Sequence, residues 1–214
     1  MATRQTEAII LRTYPLKEAD KIVSFFSRQI GKARGVAKGA RKPKSRYGAS
    51  LEPLSLVRID YFERENAELL SIDNCELIQS HFESQQDYGC GVALAYLSEA
   101  TEHLLPDREP QDAFFRLLVL VLEEIRTTKQ FWAPLTYFDL WAVRLGGFLP
   151  GLPRDICAES QEIAAEMTRR PLGEISPRTW EKKTAQDLRC FLGVQMEMHV
   201  ERAFKTRSLL NGLE

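Results

Sequence analysis

The spacing of hydrophobic and polar positions changes once along the chain. Up to about residue 75 the apolar residues come in short runs of strand length. Glu7–Thr13 holds Ala8, Ile9, Ile10 and Leu11, and Lys21–Ser27 holds Ile22, Val23, Phe25 and Phe26 before the chain reaches Gly31. Lys32–Ala37 reads as the hairpin partner of the second run. Leu54–Phe62 alternates, with Val57, Ile59 and Tyr61 on one face and Arg58 and Asp60 on the other. A turn at Arg64-Glu65-Asn66 then leads into Leu69–Ile72. Five short strands in this length predict a small barrel of the OB type, an architecture often used to hold single strands.

From about Cys75 the period becomes helical. Val92–Leu105 carries Val92, Leu94, Ala95, Leu97, Ala100 and Leu104, and Pro106 ends it. Phe114, Leu117, Leu118, Val121, Leu122 and Ile125 form a second stripe after Pro110, and Phe131, Leu135, Phe138, Trp141, Leu145 and Phe148 a third. Gly146-Gly147 fits a helix terminator. Ser176-Pro177 resembles an N-cap with proline at the first helical position, opening a last helix with Trp180, Leu188, Phe191, Leu192, Met196 and Phe204. Between Pro150 and Pro177 the prolines leave room for one short helix, Glu159–Arg169. The fold class predicted is α+β: an OB-type barrel over residues 1–80, then an all-helical domain over 81–214.

Charge sharpens this division. The net charge is −1, but residues 1–80 carry 14 Lys and Arg against 10 Asp and Glu, and the remaining 134 carry 15 against 20. Such asymmetry between halves hints at nucleic-acid contact by one of them. The excess is concentrated in Gly31–Pro53. Lys32, Arg34, Lys38, Arg41, Lys42, Lys44 and Arg46 follow one another with no acid between them, interleaved with Gly31, Gly35, Gly39 and Gly48. Cations on a glycine-punctuated backbone suit a polyanion whose phosphates are neutralised and whose bases stack. A solvated basic loop is the plain alternative. Tyr14, Tyr47 and Tyr61 are the candidate stacking rings. Each fits a barrel core as well, and Tyr61 shares its face with Val57 and Ile59.

Catalytic chemistry finds little support. His81, His103 and His199 are far apart, and no C-x-x-C pair exists among Cys75, Cys90, Cys157 and Cys190. No stretch fits a phosphate-binding P-loop or a dinucleotide fingerprint. Asp60, Glu63, Glu65 and Glu68 read as a solvated hairpin turn. Four scattered thiols, no signal peptide and no apolar run of membrane-spanning length point to a soluble, cytoplasmic protein with reduced cysteines.

Several of these residues together resemble the bacterial RecO family of recombination mediators. The resemblance begins with Tyr14 and Glu18-x-Asp20 ahead of Ile22-Val23. Its most specific part is Gly31-Lys32…Gly35-Val36-Ala37-Lys38-Gly39-Ala40-Arg41-Lys42…Lys44-Ser45-Arg46, followed by Leu51-Glu52-Pro53. Tyr137-Phe138…Leu140-Trp141…Arg144-Leu145…Gly147-Phe148-Leu149-Pro150 is similar to the helix before the family's zinc-finger region, and Glu201-Arg202…Lys205-Thr206-Arg207-Ser208-Leu209-Leu210 to its closing helix.

The resemblance implies an OB domain and a helical domain in a non-enzymatic, nucleoid-associated protein that binds single- and double-stranded DNA. It also implies annealing of complementary strands and, with RecR, help in loading RecA onto strands coated by single-strand-binding protein. Lys32, Arg34, Lys38, Arg41, Lys42, Lys44, Arg46, Tyr47 and Tyr14 are then the expected DNA-binding residues. Arg126, Lys129 and Arg144, with Lys205 and Arg207 beside them, are expected to extend the DNA path or to receive a partner, such as the acidic C-terminal tail of single-strand-binding protein. Where many members carry four zinc-binding cysteines, only Cys157 stands here. No zinc or other cofactor is therefore expected, and Leu152, Ile156, Ile163 and Leu172 are expected to hold the 150–177 segment by packing. An adaptor that binds only proteins, and an OB-fold RNA binder, are the alternative readings.

Overall fold

A computed structural model describes residues 3–63 and 68–213. The chain divides into two compact units, residues 1–83 with 101–115, and residues 84–100 with 116–214.

The first unit is built on β1 (Arg4–Leu16), β2 (Asp20–Ser27), β3 (Gly31–Ala37), β4 (Leu56–Phe62) and β5 (Leu70–Gln79), closed in the order β1-β2-β3-β5-β4. All neighbouring pairs are antiparallel except β3 and β5, which run parallel through Gly35↔Leu70 to Ala37↔Ile72. This is the OB-type barrel. Inward positions recur at period two, with Ala8 and Ile10, Val23 and Phe25, Val57, Ile59 and Tyr61, and Leu70 and Ile72 all buried in one core. β1 and β2 are apolar on their other faces too, because Ile9, Leu11 and Phe26 are also fully buried. Phe26 meets Phe114 and Phe115 edge-on at centroid distances of 6.1 and 5.5 Å. That outer cover explains why the run from Ala8 to Leu11 does not alternate.

Two glycines at positive φ do different work. Gly31 has φ +73°, and a Cβ there would lie 2.1 Å from the Glu109 carbonyl oxygen. Gly39 has φ +72° with only the flexible end of Lys42 nearby, at 3.7 Å.

Three details differ from the sequence expectation. β5 does not stop at Ile72: it continues to Gln79 because β4 keeps supplying partners, Asp60↔Asn74, Ile59↔Cys75 and Arg58↔Glu76. The run of α-helices therefore begins at α1 (Phe82–Gln85) rather than near Cys75. Ser176-Pro177 opens no helix; the Ser176 N–H and hydroxyl both donate to the Glu166 carboxylate. The turn expected at Arg64-Glu65-Asn66 lies outside the described residues.

Continuing the helices, α2 (Tyr88–Leu104), α3 (Asp112–Thr128), α4 (Trp132–Leu145), α5 (Ala158–Arg169), α6 (Gln186–His199) and α7 (Lys205–Asn211) follow. In the second unit α4 packs on α6 and α5 through buried Leu135, Phe138, Ile163, Met167, Leu188 and Leu192. α4 ends at Gly146, and Gly147 takes φ +74°, as the glycine pair suggested. α6 starts from Ala185 in a left-handed conformation, so Trp180 precedes it and Phe204 follows it. Ile156, Ile163 and Leu172 are buried and Leu152 is half-buried. Asp187 ties α5 to α6, accepting from the Cys157 N–H at 2.7 Å and from the Ser160 hydroxyl. No helix among the described residues is long and apolar enough to cross a membrane.

Candidate nucleic-acid interface

The basic stretch separates into two structural parts. Up to Ala37 it is β3, paired along β2 from Ser27↔Gly31 to Lys21↔Ala37. From Lys38 it leaves the barrel as a loop of tight turns, with Lys42 N–H on Gly39 O at 3.1 Å and Ser45 N–H on Lys42 O at 3.0 Å. This loop is bonded to the turn joining β1 and β2. The Gly39 N–H donates to Asp20 Oδ1 at 2.8 Å, the Arg41 N–H to Ala19 O at 2.9 Å, and the Arg41 guanidinium to Lys17 O at 2.8 Å.

The seven cations are not equivalent. Lys32 is 8% exposed; its Nζ donates to the Glu102 carbonyl oxygen at 2.6 Å and pairs with Asp107 at 3.2 Å. Arg34 pairs at 3.3 Å with the Glu102 carboxylate, which also accepts the Ser24 hydroxyl at 2.6 Å. Both are thereby committed to structure. Arg46 is exposed and pairs with Asp73 at 3.4 Å. Lys38, Arg41, Lys42 and Lys44 are exposed, and no ion pair engages them among the described residues.

The three candidate rings part company as well. Tyr14 is 41% exposed on β1, opposite Ile22. Tyr47 is 3% exposed, and its hydroxyl donates to the Ile72 carbonyl oxygen at 2.9 Å. Its ring belongs to the barrel core and offers no face for stacking, which corrects that expectation. Tyr61 is core, as its face suggested. Sequence reasoning passed over Lys17 and Lys21, which the β1–β2 hairpin brings beside the loop; the pairing of β1, β2 and β3 makes that juxtaposition, and no spacing along the chain announces it.

In the second unit the three other expected residues have distinct settings. Arg126 pairs with Glu123 one turn earlier on α3 at 2.6 Å. Arg144 lies 5.2 Å from the Trp141 ring centroid. Lys129 donates to the Ser84 hydroxyl at 3.2 Å and lines a cavity of about 540 Å³ with Phe131, Trp132, Trp180, Lys182 and Lys183. Asp87 and Glu181 line it too; Lys183 pairs with Glu181 at 3.1 Å and Lys182 donates to the Leu213 carbonyl oxygen at 2.6 Å, so the charge around the aromatic walls is mixed.

Among the described residues, nucleophilic or metal chemistry finds no constellation. Burial pushes the Cys75 and Cys90 thiols up to about 11, away from the reactive thiolate. Of the carboxylates near the β4–β5 hairpin, Asp60 accepts from Gln5 and Asn74, and Glu63 from Arg4 and Arg108. Among the described residues no group of three His, Cys, Asp or Glu is placed to hold a metal ion.

The closed five-stranded barrel with its cationic loop defines an OB-type barrel protein that also carries a helical unit. Comparison with known proteins resolves the family. Residues 1–81 match the family described as Recombination protein O N terminal, and residues 85–187 that described as Recombination protein O C terminal. The chain is 39% identical over 243 residues to a DNA repair protein RecO of Koribacter versatilis (strain Ellin345), covering 99% of both chains. It is 41% identical over 119 residues to that of Cutibacterium acnes, covering 55% of this chain and 48% of the relative. With the protein of Anaeromyxobacter sp. (strain K) it shares 31% over 150 residues, 70% of this chain and 58% of the relative. The chain belongs to the RecO family of DNA repair proteins.

Proposed function

We propose that this protein is a recombination mediator that binds single- and double-stranded DNA, anneals complementary strands and, with RecR, helps load RecA onto strands coated by single-strand-binding protein. The observation that carries the reading is the exposed, acid-free loop of Lys38, Arg41, Lys42 and Lys44 bonded to the hairpin that carries exposed Tyr14. Four such cations neutralise phosphates, and a tyrosine face stacks on any base, so recognition is independent of sequence. Functionally the barrel of residues 1–80 is the DNA-binding domain and residues 81–214 serve partners. Annealing then requires charge neutralisation that lets two polyanions approach, with no covalent step, no nucleotide hydrolysis and no cofactor.

A partner reading is favoured by the cavity of Phe131, Trp132 and Trp180 beside Lys129, Lys182 and Lys183. It is the place where the acidic tail of single-strand-binding protein would dock. The test is annealing of two complementary oligonucleotides, naked and coated with single-strand-binding protein. Acceleration in both cases supports the mediator. Acceleration of neither, with tail-peptide binding intact, leaves a protein-binding adaptor.

A further inference from the structure

An acid in the middle of a phosphate-binding surface works against it, and Asp20 is such an acid. It opens β2, pairs with Leu16 across the hairpin, and lies in sequence between Lys17 and Lys21. Its Oδ1 does not pair with either lysine within salt-bridge distance among the described residues. It accepts the backbone N–H of Gly39 at 2.8 Å instead. Gly39 is the residue where the loop turns with φ +72°, immediately after Lys38 and before Arg41 and Lys42. Two further bonds, from the Arg41 N–H to Ala19 O and from its guanidinium to Lys17 O, complete a three-point clasp between turn and loop.

We propose that Asp20 is a positioning residue: it fixes the basic loop against the β1–β2 hairpin so that Tyr14, Lys17 and Lys21 join Lys38, Arg41 and Lys42 in one continuous surface for a nucleic-acid strand. This inference rests on the DNA-binding reading above. The clasp uses the carboxylate as a hydrogen-bond acceptor, and its charge is incidental to that use. A loop held in one arrangement loses less conformational freedom when the strand arrives. Lys17 and Lys21 then belong to the phosphate path although neither lies in the basic stretch.

The sign of two substitutions separates this role from simple electrostatics. Asp20→Asn keeps an oxygen for the Gly39 N–H and removes the charge; Asp20→Ala removes both. Binding of a fluorescent single-stranded oligonucleotide is expected to be as tight as wild type or tighter for Asp20→Asn. For Asp20→Ala it is expected to be roughly tenfold weaker, because the hydrogen bond that holds the loop is lost. Amide exchange reads the clasp independently of DNA: the Gly39 N–H is expected to be protected in wild type and Asp20→Asn and to exchange freely in a folded Asp20→Ala variant. Equal tightening by both substitutions, with Gly39 exchange unchanged, would overturn the proposal while wild-type binding upheld the DNA reading. Absence of binding by wild type would instead overturn the DNA reading, and the inference with it.

Discussion

The Tyr96 hydroxyl donates a 2.8 Å hydrogen bond to Asp139 Oδ1 in the interior of the helical unit, where both side chains are buried. Burial pushes the Asp139 carboxyl up to about 7, against the pull of the Tyr96 bond and of Arg189 and Arg207. A carboxyl with a raised folded pKa binds more protons folded than unfolded between its two pKa values. Stability is therefore present below about pH 4 and falls as pH rises toward 7. Relative to wild type, Asp139→Asn should gain stability across that window, by on the order of 4 kcal/mol at most. Urea denaturation of both proteins at pH 4.5, 6 and 8 checks this; parallel pH profiles would contradict it.

Lys32 and Lys38 are neighbours in the basic stretch with opposite prospects. Lys32 is buried on Glu102 and Asp107, so Lys32→Ala should lower stability by about 1–3 kcal/mol and leave the salt dependence of oligonucleotide binding unchanged. Lys38 is exposed, so Lys38→Ala should change stability by less than about 0.5 kcal/mol. It should also make the salt slope shallower by roughly 0.7. Denaturation and salt-titrated binding on the same two variants separate the roles.

Gly31 and Gly39 share a positive φ but not their surroundings. Gly31→Ala drives a methyl into the Glu109 backbone and should cost about 3 kcal/mol or more. Gly39→Ala meets only the flexible end of Lys42 and should cost about 1–2 kcal/mol, from φ alone. Thermal or urea unfolding reads both. Equal costs would mean that the Glu109 contact is not rigid.

The aromatic cavity should discriminate peptides by charge and anchor. Trp180→Ala and Lys183→Glu should each weaken an acidic peptide with an apolar C-terminal residue by roughly tenfold, as removal of a central aromatic or charged contact does. Oligonucleotide binding by the barrel should stay unchanged. Calorimetry with the peptide, and fluorescence with the oligonucleotide, decide whether the two activities are separable.

The barrel was legible because its core is written in period two: Val57, Ile59 and Tyr61 announce β4 without any help from the rest of the chain. β5 was legible only to Ile72, since Asp73 and Asn74 look like a turn until β4 supplies their partners. The basic stretch was legible as charge but not as availability. Glu102, which engages Lys32 and Arg34, lies 70 and 68 residues away along the chain. Tyr47 carries no local mark of burial; only the Ile72 carbonyl it meets removes it from the surface. The start of α6 has no local signal because Ala185, which is buried and left-handed, is neither a capping residue nor a glycine. The aromatic cavity joins Phe131 to Trp180 across 49 positions, beyond the reach of any spacing rule.

The central claim is that exposed cations of the loop after Lys38 hold nucleic-acid phosphates. Its most direct test is single-stranded oligonucleotide binding across a salt series, for wild type and for Lys38, Arg41, Lys42 and Lys44 changed together to Ala. Wild type should bind with a log–log slope of roughly −3 to −4, and the folded variant should bind more weakly with a slope shallower by roughly 2–3. An unchanged affinity and slope in the folded variant would contradict the claim and move the phosphate path away from this loop.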